Sequence, residues 1–158
     1  MDQSSAITDH ARLLLSQTGF PDSVTVNTQY DSASDLYQVL IQTDEPALLI
    51  GYHGENLSAL QLILGQHLHV QFGAWVNLSL NVNDYRQRRE TALQSLAESA
   101  VARVVQTGQP HSLPPMPSNE RRIVHLYLAD HPDVATYSDG QAKNRSVIIA
   151  PRESQAGE

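Results

Sequence analysis

The sequence predicts an α+β fold in two small units: a mixed helix–strand unit over residues 1–83 and a second over 84–151 with helices packed on a three-stranded sheet, followed by a flexible tail at 152–158. Three observations predict it. Apolar residues recur at helical spacing in some segments and alternate in others. These segments are short and punctuated by Gly and Pro. The charge also changes character midway. From Met1 to Tyr85 nine acids stand against Arg12 alone, whereas from Arg86 to Glu158 nine basic residues meet eight acids.

The elements follow in order. Ser4 to Gln17 carries Ile7, Ala11, Leu14 and Leu15 on one helical stripe, and Gly19 and Pro21 stop it. Val24, Val26, Thr28 and Tyr30 alternate, as do Tyr37, Val39 and Ile41, and the polar Asp31–Asp35 stretch between them completes a hairpin. Glu45-Pro46 opens a short helix, because Pro is tolerated in a first turn. After Gly51-Tyr52-His53-Gly54, a longer helix runs from Glu55 to Phe72, with Leu57, Leu60, Leu64 and Leu68 in register. Trp75 to Val82 alternates as a half-buried strand, with Trp75 expected in core or edge packing.

Asn83 or Asp84 is expected to cap the next helix, which reaches about Gln106 with Leu93, Leu96, Ala97, Ala100, Val101 and Val104 as its stripe. Leu113 to Met116 is extended, and its prolines suit only an edge strand. Ser118 is expected to cap a helix to about Ala129, on which Ile123, Leu126 and Tyr127 pack. Val134–Tyr137 and Ser146–Ala150 are short strands around a Ser138-Asp139-Gly140 turn.

Composition excludes several classes. Without cysteine there is no disulfide, thiol nucleophile or cysteine-based zinc site. The seven histidines show no metal-ligand spacing, and no phosphate-loop, dinucleotide or nucleophile-elbow signature is present. Neither cofactor nor metal is expected, and no enzymatic activity. No apolar run is long enough to cross a bilayer, so no membrane insertion is expected. The N-terminus lacks a signal-peptide pattern, and a cytoplasmic location is expected. The net charge of −7 disfavours a generic polyanion binder. The cations cluster at Arg86/Arg88/Arg89, Arg121/Arg122 and Lys143/Arg145; phosphate contacts would lean on these, although on charge alone solvated helix faces are the better explanation of such clusters.

Two short motifs carry the functional expectation. In Gly51-Tyr52-His53-Gly54, glycines admit a close backbone or phosphate approach, and the next helix offers unpaired N–H groups to phosphate oxygens. A tight turn needs the same glycines. Tyr52 is available to stack on a base, and His53 to donate to phosphate when protonated. The second motif is Arg121 with His125, four positions apart and so on one helix face, with Arg122 beside them. This suits a phosphate or a stacked base, and an ordinary amphipathic helix would show the same spacing.

Context adds specificity. The order helix–strand–strand–helix–helix–strand around the glycine loop resembles the type II KH domain, whose Gly-x-x-Gly loop clamps single-stranded nucleic acid. The segment Pro115–Leu126, together with Thr136–Gly140, Val147–Ile149 and Asp84–Glu90, resembles the R-three-H domain, which binds single-stranded nucleic acid. The succession of the two resembles the bacterial Jag family, also called the SpoIIIJ-associated or KhpB family, in a short form without the N-terminal Jag domain. The resemblance implies binding of single-stranded RNA, or single-stranded DNA, through Gly51, Tyr52, His53, Gly54, Arg121, Arg122, His125, Lys143 and Arg145. It implies a post-transcriptional regulator or RNA chaperone. The alternative is a protein-interaction adaptor whose KH surface forms a homodimer or pairs with a small KH protein.

Overall fold

The computed structural model describes residues 3–20 and 24–152. The expected stop at Pro21 and all of the expected tail at 152–158 except Arg152 lie outside the described residues; Arg152 is held, its N–H donating to Asp133 O at 2.8 Å and its Nε to Val134 O at 3.1 Å. The chain divides into two compact units, Met1–Arg86 and Gln87–Glu158.

In the first unit, α1 (Gln3–Gln17) buries Ile7, Ala11 and Leu15, spaced four apart on one stripe. The strands β1 (Thr25–Asp31) and β2 (Leu36–Gln42) pair antiparallel, with Val26 opposite Ile41 and Thr28 opposite Val39. These four side chains form the inward face. The hairpin turn closes on Asp31, whose carboxylate accepts from the Ala33 N–H at 2.9 Å and the Ser34 hydroxyl at 2.6 Å.

The chain then crosses over through α2 (Pro46–Ile50), a 3-10 turn at Tyr52–Gly54 and α3 (Glu55–Phe72). It returns as β3 (Leu78–Val82), parallel to β2. A parallel neighbour requires such a crossover, and α3 is the element that covers the sheet with Leu57, Leu64 and Leu68. The strand expected from Trp75 starts only at Leu78. Trp75 is 64% exposed, not core, and its ring stacks flat on His69 with centroids 4.2 Å apart.

Two caps differ from expectation. Asn83 and Asp84 both adopt positive φ, at 45° and 57°, and turn the chain rather than entering the next helix. The Asn81 side chain instead accepts from the Arg86 N–H at 3.1 Å, while Asn83 brackets the Thr43 backbone. Ser118 is itself helical, with Pro117 in the capping position and no side-chain cap.

The second unit holds most of α4 (Tyr85–Thr107), then β4 (His111–Ser112), α5 (Ser118–Tyr127), β5 (Val134–Asp139) and β6 (Ser146–Pro151). The sheet order is β4-β6-β5, antiparallel throughout. Val134, Val147 and Ile149 bury against Leu93, Ala97, Ala100, Val101 and Val104 of α4 and Val124 of α5. The edge strand lies at His111–Ser112, ahead of the expected Leu113–Met116, because Pro114 and Pro115 have no N–H to give. The ladder resumes on either side of them, with Leu113 N–H to Val147 O at 2.9 Å and Met116 N–H to Arg145 O at 3.2 Å. On α5 the core residues are Val124 and the following Leu128. Leu126 and Tyr127, expected to pack, face solvent. Among the described residues, no helix is long and apolar enough to cross a membrane.

Candidate nucleic-acid interface

The glycine loop owes its shape to its neighbours. Gly51 sits at φ 70°, ψ −174°, a conformation open essentially to glycine alone. A Cβ there would lie 2.5 Å from the Asn56 side-chain carbon, because Asn56 reaches back to donate to Leu48 O at 2.9 Å. Gly54 is buried, and a Cβ there would meet the Tyr85 ring at 3.2 Å. The glycines therefore let the loop close on its own supports. Between them Tyr52 is 75% exposed, with its ring edge-on to His53 at 4.2 Å. Tyr52 is thus the most exposed side chain of the loop.

In the second unit, α5 carries Arg121 and His125 on one face. Arg121 Nε donates to Met116 O at 3.2 Å. No described residue takes a hydrogen bond from its two terminal nitrogens. Met116 is thus held by both backbone groups, its N–H on Arg145 O and its C=O on Arg121. The loop carrying Lys143 and Arg145 is tied through it to the start of α5. Arg122, Lys143 and Arg145 are exposed, and their side chains have no hydrogen bond or ion pair among the described residues.

His125 differs from the solvent-facing donor that spacing alone suggests. It is half-buried, and its two ring nitrogens sit 2.8 Å from Thr136 Oγ1 and 2.8 Å from Ser138 Oγ on β5. Burial, and then the neighbouring Arg121 charge, lower its pKa from the ordinary histidine value, so the ring is neutral near pH 7.

Two of the three arginines at the head of α4, Arg86 and Arg89, are engaged by other parts of the fold. Arg86 donates to Leu80 O at 2.7 Å and to Gln61 at 2.9 Å. Arg89 forms a bidentate pair with Glu120 at 2.7 and 2.9 Å. Both arginines hold parts of the fold together, Arg86 joining β3 to α3 and Arg89 joining α4 to α5. Sequence reasoning missed Met116, Thr136, Ser138 and Glu120. The alternation of Thr136 and Ser138 on one strand face was the available signal for two of them. Among the described residues no three His, Asp or Glu side chains gather as a metal site.

The second unit is an R-three-H domain: that family matches residues 91–151. Over a longer span the chain resembles several curated proteins named RNA-binding protein KhpB. It is 35% identical over 147 residues to that of Lactiplantibacillus plantarum, covering 93% of this chain and 44% of the relative. It is 36% identical to that of Streptococcus pneumoniae serotype 2, covering 79% and 38%, and 34% identical to that of Bacillus subtilis strain 168, covering 70% and 54%. The chain belongs to this KhpB, or Jag, family. It spans between 38% and 58% of the length of the curated relatives it matches. A solved structure of Aquifex aeolicus Era superposes on 52% of this chain and 31% of that one, at 18% identity and a TM-score of 0.43.

Proposed function

We propose that this chain binds single-stranded RNA through two modules, without catalysing a reaction, as a cytoplasmic post-transcriptional regulator or RNA chaperone. The first module would be a type II KH unit. Its element order, the parallel β2–β3 pair and the glycine loop between α2 and α3 support that reading. The second would be the R-three-H unit, with Arg121, Arg122, Lys143 and Arg145 as phosphate donors and His125 in the same site. The observation that carries the proposal is the Arg121 guanidinium, fixed at Nε with its fork of terminal nitrogens unclaimed. A fixed fork suits a phosphate, because its geometry is set before the ligand arrives.

Two weak sites on one chain raise the effective affinity for a strand that engages both. Cations are few, so affinity is modest and its salt dependence shallow, at about 0.7 per neutralised phosphate. An anisotropy titration of a short labelled single-stranded RNA at several salt concentrations tests this. Arg121→Ala/Arg122→Ala is expected to weaken binding and flatten the salt slope. Tyr52→Ala is expected to cost about 1–3 kcal/mol if a base stacks there. Salt-independent binding, or binding untouched by the arginine variants, would refute the R-three-H part.

A second reading has its own observation. The outward face of α3 exposes Leu62, Ile63 and Val70, and Glu55 is the one charged residue of that helix. A helix apolar on both faces calls for a covering partner, here a second copy or a separate KH protein. Light scattering on the purified chain tests the first case: a concentration-dependent dimer abolished by Val70→Glu supports it, and a monomer at every concentration rejects it.

A further inference from the structure

We propose that His125 is a positioning residue: it clamps α5 onto β5 so that Arg121 is presented in a fixed place, and it does not itself touch RNA. The inference rests on the reading that Arg121 contacts RNA. A neutral imidazole has one donor and one acceptor, and here both are used, by Thr136 and by Ser138, each at 2.8 Å. The two hydroxyls stand on the same face of β5, two residues apart. Alternate strand residues are about 6.8 Å apart, a gap that an imidazole lying along the strand fills with one short hydrogen bond at each end. An RNA oxygen reaching this ring would have to displace one of those hydroxyls and leave it unpaired in a half-buried site, which costs more than a contact to an already open donor gains.

The electrostatics agree. The charged group acting on the ring is Arg121, on its own helix, and β5 presents only hydroxyls to it. An imidazolium here would be desolvated and would face a like charge, so the positive charge of this site comes from arginine alone. His125 and Arg121 divide the work. The histidine fixes the last turn of α5 to the sheet, the Arg121 Nε fixes the first turn to Met116, and the remaining guanidinium nitrogens are left for the ligand.

Ring 15N NMR of the whole chain, with and without a short single-stranded RNA, reads this directly and needs no variant to fold. The His125 ring is expected to keep one neutral tautomer and unchanged shifts in the complex, while Arg121 Nε–H moves. In a His53→Gln background, which removes the glycine loop's own imidazole, affinity is expected to stay flat as the pH is lowered from about 8 toward the ordinary histidine value. His125→Ala and Thr136→Val/Ser138→Ala should each weaken binding about tenfold, without adding when combined, because they remove the same clamp. His125→Gln, which retains one donor and one acceptor, should restore most of the affinity. A His125 ring whose shifts move with RNA, affinity that climbs on acidification in the His53→Gln background, or fully additive losses would overturn the proposal. If Arg121→Ala leaves affinity unchanged while the His125 ring remains locked to β5 in the NMR spectra, the RNA site is misplaced and the clamp itself survives.

Discussion

Arg89→Ala is expected to destabilise the second unit by about 3–5 kcal/mol. The reason lies in what it leaves behind. The Glu120 carboxylate is 3% exposed and accepts from Arg89 Nε at 2.7 Å and from its Nη2 at 2.9 Å, while Arg89 itself keeps 31% of its surface. Deleting the arginine removes both of these charge-assisted hydrogen bonds from a carboxylate held away from water. Glu120→Gln is expected to cost less, because the amide is neutral and the half-exposed guanidinium can turn to solvent. Replacing both partners by apolar side chains, as in Arg89→Met/Glu120→Leu, is expected to recover most of the loss, since a buried pair often stabilises no more than good packing does. Urea unfolding of the variants, compared by midpoint at constant slope, measures all three. An Arg89→Ala variant within about 1 kcal/mol of the parent would mean that the carboxylate finds another donor and that α5 does not depend on this tether.

That pair also marks where the sequence stops being informative. The stripes of α1, α3 and α4 were legible because burial on a helix needs only a local period: Ile7, Ala11 and Leu15 went where their spacing put them. The inward faces of β1 and β2 were legible for the same reason. Polar partners obey no period. Arg86, Arg88 and Arg89 look like one basic patch, yet Arg86 goes to Gln61 and Arg89 to Glu120, 25 and 31 positions away. His125 looks like a donor from its place beside Arg121, and only the approach of β5 reveals that Thr136 and Ser138 occupy it. The glycine loop divides in the same way. Its position between two helices could be read from order and composition, whereas the Asn56 side chain that fills the space beside Gly51 could not. Trp75 was misplaced because alternation cannot say where a strand begins, and the ladder to β2 takes hold only at Leu78.

Gly140→Ala is expected to be the most damaging single methyl addition near the interface, lowering stability and RNA affinity together. Gly140 has φ +94°, and a Cβ there would lie 2.6 Å from the Asn144 carbonyl oxygen, 3.1 Å from Arg145 Cα and 3.2 Å from the Asn144 carbonyl carbon. All three atoms are backbone, so no side chain can swing aside, and the 3-10 turn at Ala142–Asn144 must shift. The backbone conformation alone costs about 1–3 kcal/mol, and the crowding adds to it. For a unit of this size each kcal/mol lowers the melting temperature by roughly 4–8 °C. Gly108→Ala is the control. Its φ of +66° is also positive but nothing lies within 4 Å, so it carries the conformational cost without the collision. The functional consequence follows the chain of bonds from the turn. Arg145 O accepts from Met116 N–H, and Met116 O accepts from Arg121 Nε. A displaced turn therefore moves Lys143 and Arg145 and loosens Arg121 as well. Calorimetry beside RNA titration separates the possibilities. If Gly140→Ala melts as Gly108→Ala does and binds RNA like the parent, the turn is not what holds these cations in place.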